Sequence, residues 1–307
     1  MRIPADENAC AMVVIGTTAA ITVASPVIYQ INSGSSSAER AVTIAFAGAS
    51  EPEAVRSLGA LGSEILLPNA ASDPEDVTRF LEAWAKSHGI VRAGDAKAFL
   101  GVGSHGWTLP IPIVKTAAGW RFDTAAAPEE MRVRRIGRNE LAAIEVARAY
   151  VDAQREYALT QGSSNGLHEY ATKLVSTPGK KDGLYWRTQA GEPLSPLGPL
   201  AAKARQEGYG KRSNAANEPY HGYYYRILSR QGSAAPDGAY HYVIDGKMVA
   251  GFALVAYPAR WGASGVMTFI VNHDGKVFQK DLGPNTATLA KSMKEYNPDK
   301  TWTEARP

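Results

Sequence analysis

The sequence predicts an α+β protein. A small N-terminal domain of helices and an antiparallel sheet precedes a C-terminal domain in which one long helix packs on an antiparallel meander. Three observations carry this. Residues 139–160, NELAAIEVARAYVDAQREYALT, place Ala143, Val146, Ala147, Tyr150, Ala153, Tyr157 and Ala158 at three- and four-residue steps, the stripe of an amphipathic helix. From residue 222 onward, apolar runs alternate with tight-turn pairs such as Asp245-Gly246, as in a meander. Before residue 127, two helical patterns give way to short apolar runs around a turn. The expected domains are residues 39–127 and 128–307, the second with a long loop insertion at 162–221, and residues 1–38 are set apart from both.

A chain of 307 residues is too long for one small core, so two domains are the natural division. Apolar content of 45% and charged content of 21% belong to a globular protein and exclude a disordered one. The net charge is only +3. The densest basic run, residues 132–138, has no interleaved aromatics and follows Glu129 and Glu130. It reads as a solvated helix face, and no nucleic-acid partner is expected. The single cysteine, Cys10, leaves neither an intramolecular disulfide nor a cysteine-based zinc site.

Residues 11–29 are apolar but interrupted by Gly16, Thr17, Thr18 and Pro26, which is weak for a span needing about 20 apolar residues. Arg2 precedes the run, and Thr22-Val23-Ala24 or Ser36-Ser37-Ala38 would serve as a small-residue cleavage site. The expectation is a signal peptide and linker over residues 1–38, no stable membrane span, and a periplasmic or secreted protein.

In order, a short helix is expected at residues 52–59 and a clearer one at 73–86, capped by Asp73 and closed by Gly89. Strands follow at 98–102, 107–115 and 119–122, the last two as a hairpin. Residues 128–138 read as a connecting helix ended by Gly137. Asn139 then caps the long helix, which Gly162 and its neighbours stop. Within the loop insertion, short helices are expected at 169–175 and 200–206. Strands at 222–231, 240–244, 247–257, 265–271 and 276–280 complete the meander. Its apolar face would use Phe252, Leu254, Met267, Phe269 and Val271 against the long helix. A final helix over 284–296 would turn Thr286, Leu289 and Met293 to one side.

Chemistry is harder to find. Six histidines are present, and none forms an HxH, HxxxH or HExxH unit, so no metal site or cofactor is expected. His221 and His241, with Asp245 or Glu218, could build a polar site on neighbouring strands. The most unusual polar stretch is residues 176–183, STPGKKDG. There Ser176 could act as a nucleophile activated by Lys180 or His168, with Asp182 nearby. Its spacing matches neither SxxK nor a phosphate loop, and proline with two glycines also reads as a plain turn. Tyr185, Trp186, Tyr220, His221, Tyr223 and Tyr224 concentrate aromatic rings that, where they point outward, would form a rigid binding surface. No pair of carboxylates is singled out by spacing.

Several motifs occurring in one order carry a resemblance: GWRFDTAA (119–126), RRIGRNELAAI (134–144), STPGKKDGLYW (176–186), SPLGPL (195–200), PYHGYYYRIL (219–228), AGFALVAYPARWGASGVMTFIVN (250–272) and KDLGP (280–284). Together they resemble a bacterial family catalogued as a domain of unknown function, number 2950, which implies an exported protein without assigning an activity. The long helix followed by a meander is also similar to the soluble part of type IV pilin-like proteins. No prepilin-type apolar helix precedes Asn139, so filament assembly through such a helix is not expected. The order of elements before residue 124 is similar to the nuclear-transport-factor-2-like fold, which says nothing of function. The expected function is a non-catalytic exported envelope protein with a binding or structural role toward an envelope protein or glycan. The alternative is a hydrolase acting on an envelope polymer through residues 168–182.

Overall fold

A computed structural model describes residues 82–306, apart from 84, 118, 165, 190 and 207–218. The expected signal, the first expected helix and most of the second lie outside the described residues. The chain is α+β and divides into two compact units, Met1–Val133 and Arg134–Pro307.

In the first unit, β1 (His88–Arg92), β2 (Lys97–Val102), β3 (Ile113–Thr116) and β4 (Gly119–Phe122) form an antiparallel sheet in sequence order. Ala98, Leu100 and Val102 alternate inward along β2 and share a core with Leu109, Ile111 and Ile113. The expected hairpin is present, with Thr116 opposite Gly119 and Ile113 opposite Phe122. Two readings are corrected. The second helix runs to Lys86 as expected, but Gly89 does not close it and lies instead in β1, which begins at His88. Residues 107–112 contribute only a bridge from Thr108 to Gly101, because Pro110 and Pro112 have no N–H to give to a ladder.

The long helix, α1 (Ala127–Thr160), is one element of 34 residues, not two. Gly137 does not break it. A glycine inside a helix costs about 1 kcal/mol, too little to end one whose flanks are anchored. Its start is supported by the Asp123 carboxylate, which accepts from the Ala126 amide at 3.3 Å, and by Glu129 and Glu130 in the first turn. Asn139 is therefore not a cap. It is buried mid-helix, and its Nδ2 donates to the Ser264 carbonyl at 2.8 Å. At the next residue, Glu140 Oε1 accepts from the Val266 and Met267 amides at 2.9 and 3.0 Å. These bonds fix α1 to the turn and strand that follow residue 260.

The main sheet of the second unit is antiparallel, ordered β15 (Thr303–Glu304), β14 (Val277–Asp281), β13 (Met267–Asn272), β12 (Ala253–Pro258), β7 (Tyr223–Leu228). β12 is buried along its whole length, as a strand covered on both faces must be. Register aligns Arg226, Val255, Ile270 and Phe278 across the sheet, so they share one face. On that face Arg226 Nη2 donates to the Ala290 and Met293 carbonyls at 2.7 and 2.5 Å, holding α3 (Thr286–Ser292). The alternate set, with Leu254, Phe269 and Val271, joins Phe252 and the α1 residues Ala143, Ala147, Tyr150 and Val151 in one core. Of the sheet positions the sequence nominated, Phe252, Leu254, Phe269 and Val271 are in this core, and Met267 packs against it half-buried.

Between β7 and β12 the chain makes two small pairs. β8 (Arg230–Gln231) pairs with β9 (Tyr240–His241), and β10 (Val243–Ile244) pairs with β11 (Lys247–Met248) around Asp245-Gly246. The expected strand 247–257 is split, because the Val249 and Ala250 amides both donate to the Tyr242 carbonyl and turn the chain. The last helix is shorter than expected. The Tyr296 amide donates to the Arg230 carbonyl at 3.0 Å and its carbonyl accepts from Gly232, so this backbone pairs with β8 instead of continuing α3. Thr286 and Ala290 face inward, whereas Leu289, expected on that face, is exposed. No helix among the described residues is long and apolar enough to cross a membrane.

Candidate functional site

The loop insertion is anchored on α1. Gln154, fully buried, donates from Nε2 to the Ala171 carbonyl at 2.8 Å and accepts from the Ala171 amide at 2.8 Å. This pair, the short strands β5 (Ser163–Ser164) and β6 (Leu167–His168), and the Tyr170 amide bonded to the Met248 carbonyl hold the start of residues 169–175 out of a helix. The helix expected there does not form, since its amides are already committed to other segments. The later one does, as α2 (Gly198–Gln206).

Beyond Ala171 the chain forms a closed lariat. The Leu184 and Tyr185 amides donate to the Lys173 and Leu174 carbonyls at 3.0 and 2.9 Å, and the Ser176 amide to the Tyr185 carbonyl at 2.8 Å. Asp182 ties the neck. Its carboxylate accepts from Lys173 Nζ at 2.7 Å, the Thr177 amide at 2.8 Å and the Thr177 hydroxyl at 2.9 Å. The Lys173 ammonium, then the Thr177 amide, hold this carboxyl well below the usual carboxylate range. Gly183 sits in the neck because a Cβ there would lie 2.8 Å from the Ser176 nitrogen and 3.0 Å from the Lys173 carbonyl oxygen.

The residues nominated for catalysis are placed as follows. The Ser176 hydroxyl donates to the Gly183 carbonyl at 3.2 Å, and His168 Nδ1 lies 3.0 Å from the Ala158 carbonyl oxygen at the end of α1. Lys180 is exposed, and its amide donates to the Thr177 carbonyl at 2.9 Å. Lys173, not Lys180, is the cation on Asp182. Sequence reasoning missed Lys173 and Thr177, because their meeting with Asp182 depends on lariat closure and on no short motif. No group of three or more His, Cys, Asp or Glu residues that could hold a metal occurs among the described residues.

The aromatic residues do not form one surface. Tyr223 is a correction: it is fully buried, its hydroxyl donates to the Met267 carbonyl at 2.9 Å, and burial pushes that hydroxyl well above the ordinary tyrosine value. Tyr224 lies on the opposite sheet face, half-buried with its ring 5.7 Å from that of Tyr257. Strand alternation separates the two. Tyr220 and His221 form the turn before β7, their rings 4.2 Å apart. His241 is exposed on β9, and Glu218 lies outside the described residues. Tyr185 and Trp186 stay with the lariat. The Lys181 ammonium sits 5.5 Å from the Trp186 ring centre, the Trp186 carbonyl accepts from the buried Ser195 hydroxyl at 3.1 Å, and the Tyr157 hydroxyl donates to the Lys181 carbonyl at 3.1 Å.

A long helix on an antiparallel sheet with a braced lariat is thus the class of protein this chain represents. It belongs to the family described as "Protein of unknown function (DUF2950)", whose model matches residues 30–305. No curated protein and no solved structure matches the chain.

Proposed function

We propose that this chain is a non-catalytic protein of the bacterial envelope that works by binding, with the lariat and its Lys181–Trp186 pair as the contact surface. Its occupant is an envelope protein or glycan, and residues 1–38 serve as an export signal and linker. On this reading the second unit is a pilin-like module. One observation carries the proposal. The polar groups that could have served catalysis are engaged in holding the lariat: Asp182 with Lys173 and Thr177, and Ser176 with the Gly183 carbonyl. A braced loop presenting an indole beside an ammonium suits stacking on a sugar ring or a polar protein surface.

The test is co-sedimentation with purified peptidoglycan sacculi, scoring both retained protein and soluble fragments. Retention without fragments, reduced several-fold by Trp186→Ala, is the expected result. Fragments that disappear in Ser176→Ala would replace this reading with the hydrolase. Intact-mass measurement on periplasmic protein tests export: the mass should be short by the N-terminal segment, and a full-length chain confined to the cytoplasm would remove the envelope assignment.

A further inference from the structure

On the α3 face of the main sheet, remote in sequence from the lariat, a pocket of about 350 Å³ is lined by Arg230, Ile270, Met293, Lys294, Glu295, Asn297 and Trp302. We propose that it binds a small organic carboxylate bearing a flat apolar group, of the size of one aromatic amino acid. The chemistry of the lining carries the argument. Ile270, Met293 and Trp302 make an apolar floor and wall, and the volume falls in the range of small-molecule sites.

Arg230, Lys294 and Asn297 are the lining side chains that can donate to a carboxylate. Arg230 and Lys294 are cations, and the single acid, Glu295, stands 3.3 Å from Arg230 Nε, where it offsets one of them. Asn297 has its oxygen engaged, accepting from the Ala234 amide at 2.8 Å, so its amide NH₂ is the end it can offer. A planar guanidinium with an ammonium and an amide NH₂ nearby is the set that recognises a carboxylate.

The pocket is also built, and not a surface accident. Arg226 bonds the Met293 carbonyl that shapes one wall, and Lys280 reaches both the Thr301 hydroxyl at 2.6 Å and the Trp302 ring at 5.9 Å. Gly232 leaves room for Asn297, since a Cβ there would lie 2.5 Å from Asn297 Cγ.

A carboxylate of this kind has two sources, a free metabolite or the C-terminus of a peptide. Calorimetric titration of the full chain separates them with three probes: N-acetylphenylalanine, its amide, and a tripeptide ending in free phenylalanine. A dissociation constant on the order of 1 mM or tighter is expected for the acid, the scale set by a molecule of this size. The amide should bind at least about tenfold more weakly. Arg230→Met should weaken the acid by a similar factor, and Lys294→Gln, at an exposed position, should do so less without affecting the fold. If the tripeptide alone binds, the occupant is a chain terminus. Equal binding of acid and amide, no binding of either acid-bearing probe, or binding unchanged in both variants would overturn the proposal.

Discussion

Gln154 donates through Nε2 to the Tyr150 hydroxyl at 3.0 Å, one helical turn away, and Tyr150 in turn donates to the Ala253 carbonyl at the start of β12 at 3.2 Å. With the two Ala171 bonds, this makes one buried relay from the loop insertion through α1 to the sheet. All four residues are at most 1% exposed, so every member must be satisfied inside the protein.

Gln154→Leu removes the relay's centre and orphans both the amide and the carbonyl of Ala171. An unsatisfied buried group costs about 1–3 kcal/mol, so a loss of roughly 2–4 kcal/mol is expected. Urea denaturation measures it, and a loss below about 0.5 kcal/mol would mean that the pair contributes little.

Asn139→Ala discriminates a cap from a tertiary bond. A lost N-cap would lower the helical signal and cost about 1 kcal/mol. The structure instead predicts unchanged circular dichroism. Hydrogen exchange should rise in residues 260–266, where Ser264 loses its partner.

Asp182→Asn should open the lariat while leaving the global unfolding temperature close to that of the parent. The readout is faster exchange at Ser176, Leu184 and Tyr185. The folded carboxyl is depressed, so its contribution is fully present above the ordinary aspartate value of about 3.9 and fades as pH falls through the lower folded value. The parent lariat should therefore loosen only in strong acid, and the variant should show no such transition.

Tyr150, Tyr223, Tyr242 and Tyr296 are all pushed above the ordinary tyrosine value, first of all by burial. The folded state thus keeps protons that the unfolded chain releases above about pH 10. Stability should be level below that value and fall as pH rises past it. Replacing Tyr296 with phenylalanine should reduce the slope, measured by denaturant titration at pH 9 to 11 (about one unit either side of that value).

Gly232→Ala places a methyl 2.5 Å from Asn297 Cγ, so Asn297 must give up its bond to Ala234. Overpacking of this kind costs about 1–3 kcal/mol. Thermal unfolding would register it, and an unchanged midpoint would show that the turn yields freely.

Much of the architecture was legible because it is written in local pattern. The stripe from Ala143 to Ala158 found the buried side of α1, and Asp245-Gly246 found a hairpin whose turn needs positive φ at both residues. Alternation found Leu254, Phe269 and Val271. The candidate site was legible only as an odd stretch. Asp182 was in view, but Lys173 and Thr177 meet it only after the chain closes on itself.

By itself, then, the sequence determined the α+β class, the long helix, the principal hairpins and the family, since periodicity, turn chemistry and motif order act over neighbouring residues. Tertiary structure alone decided the rest. It made Asn139 a bond to Ser264 instead of a cap, and kept residues 169–175 from forming a helix by bonding Ala171 to Gln154 and Tyr170 to Met248. It also buried Tyr223 and stopped α3 by pairing Tyr296 with β8. In each case a backbone or side-chain group had two possible partners. The choice fell to the one that a distant segment brought within hydrogen-bond reach while excluding water.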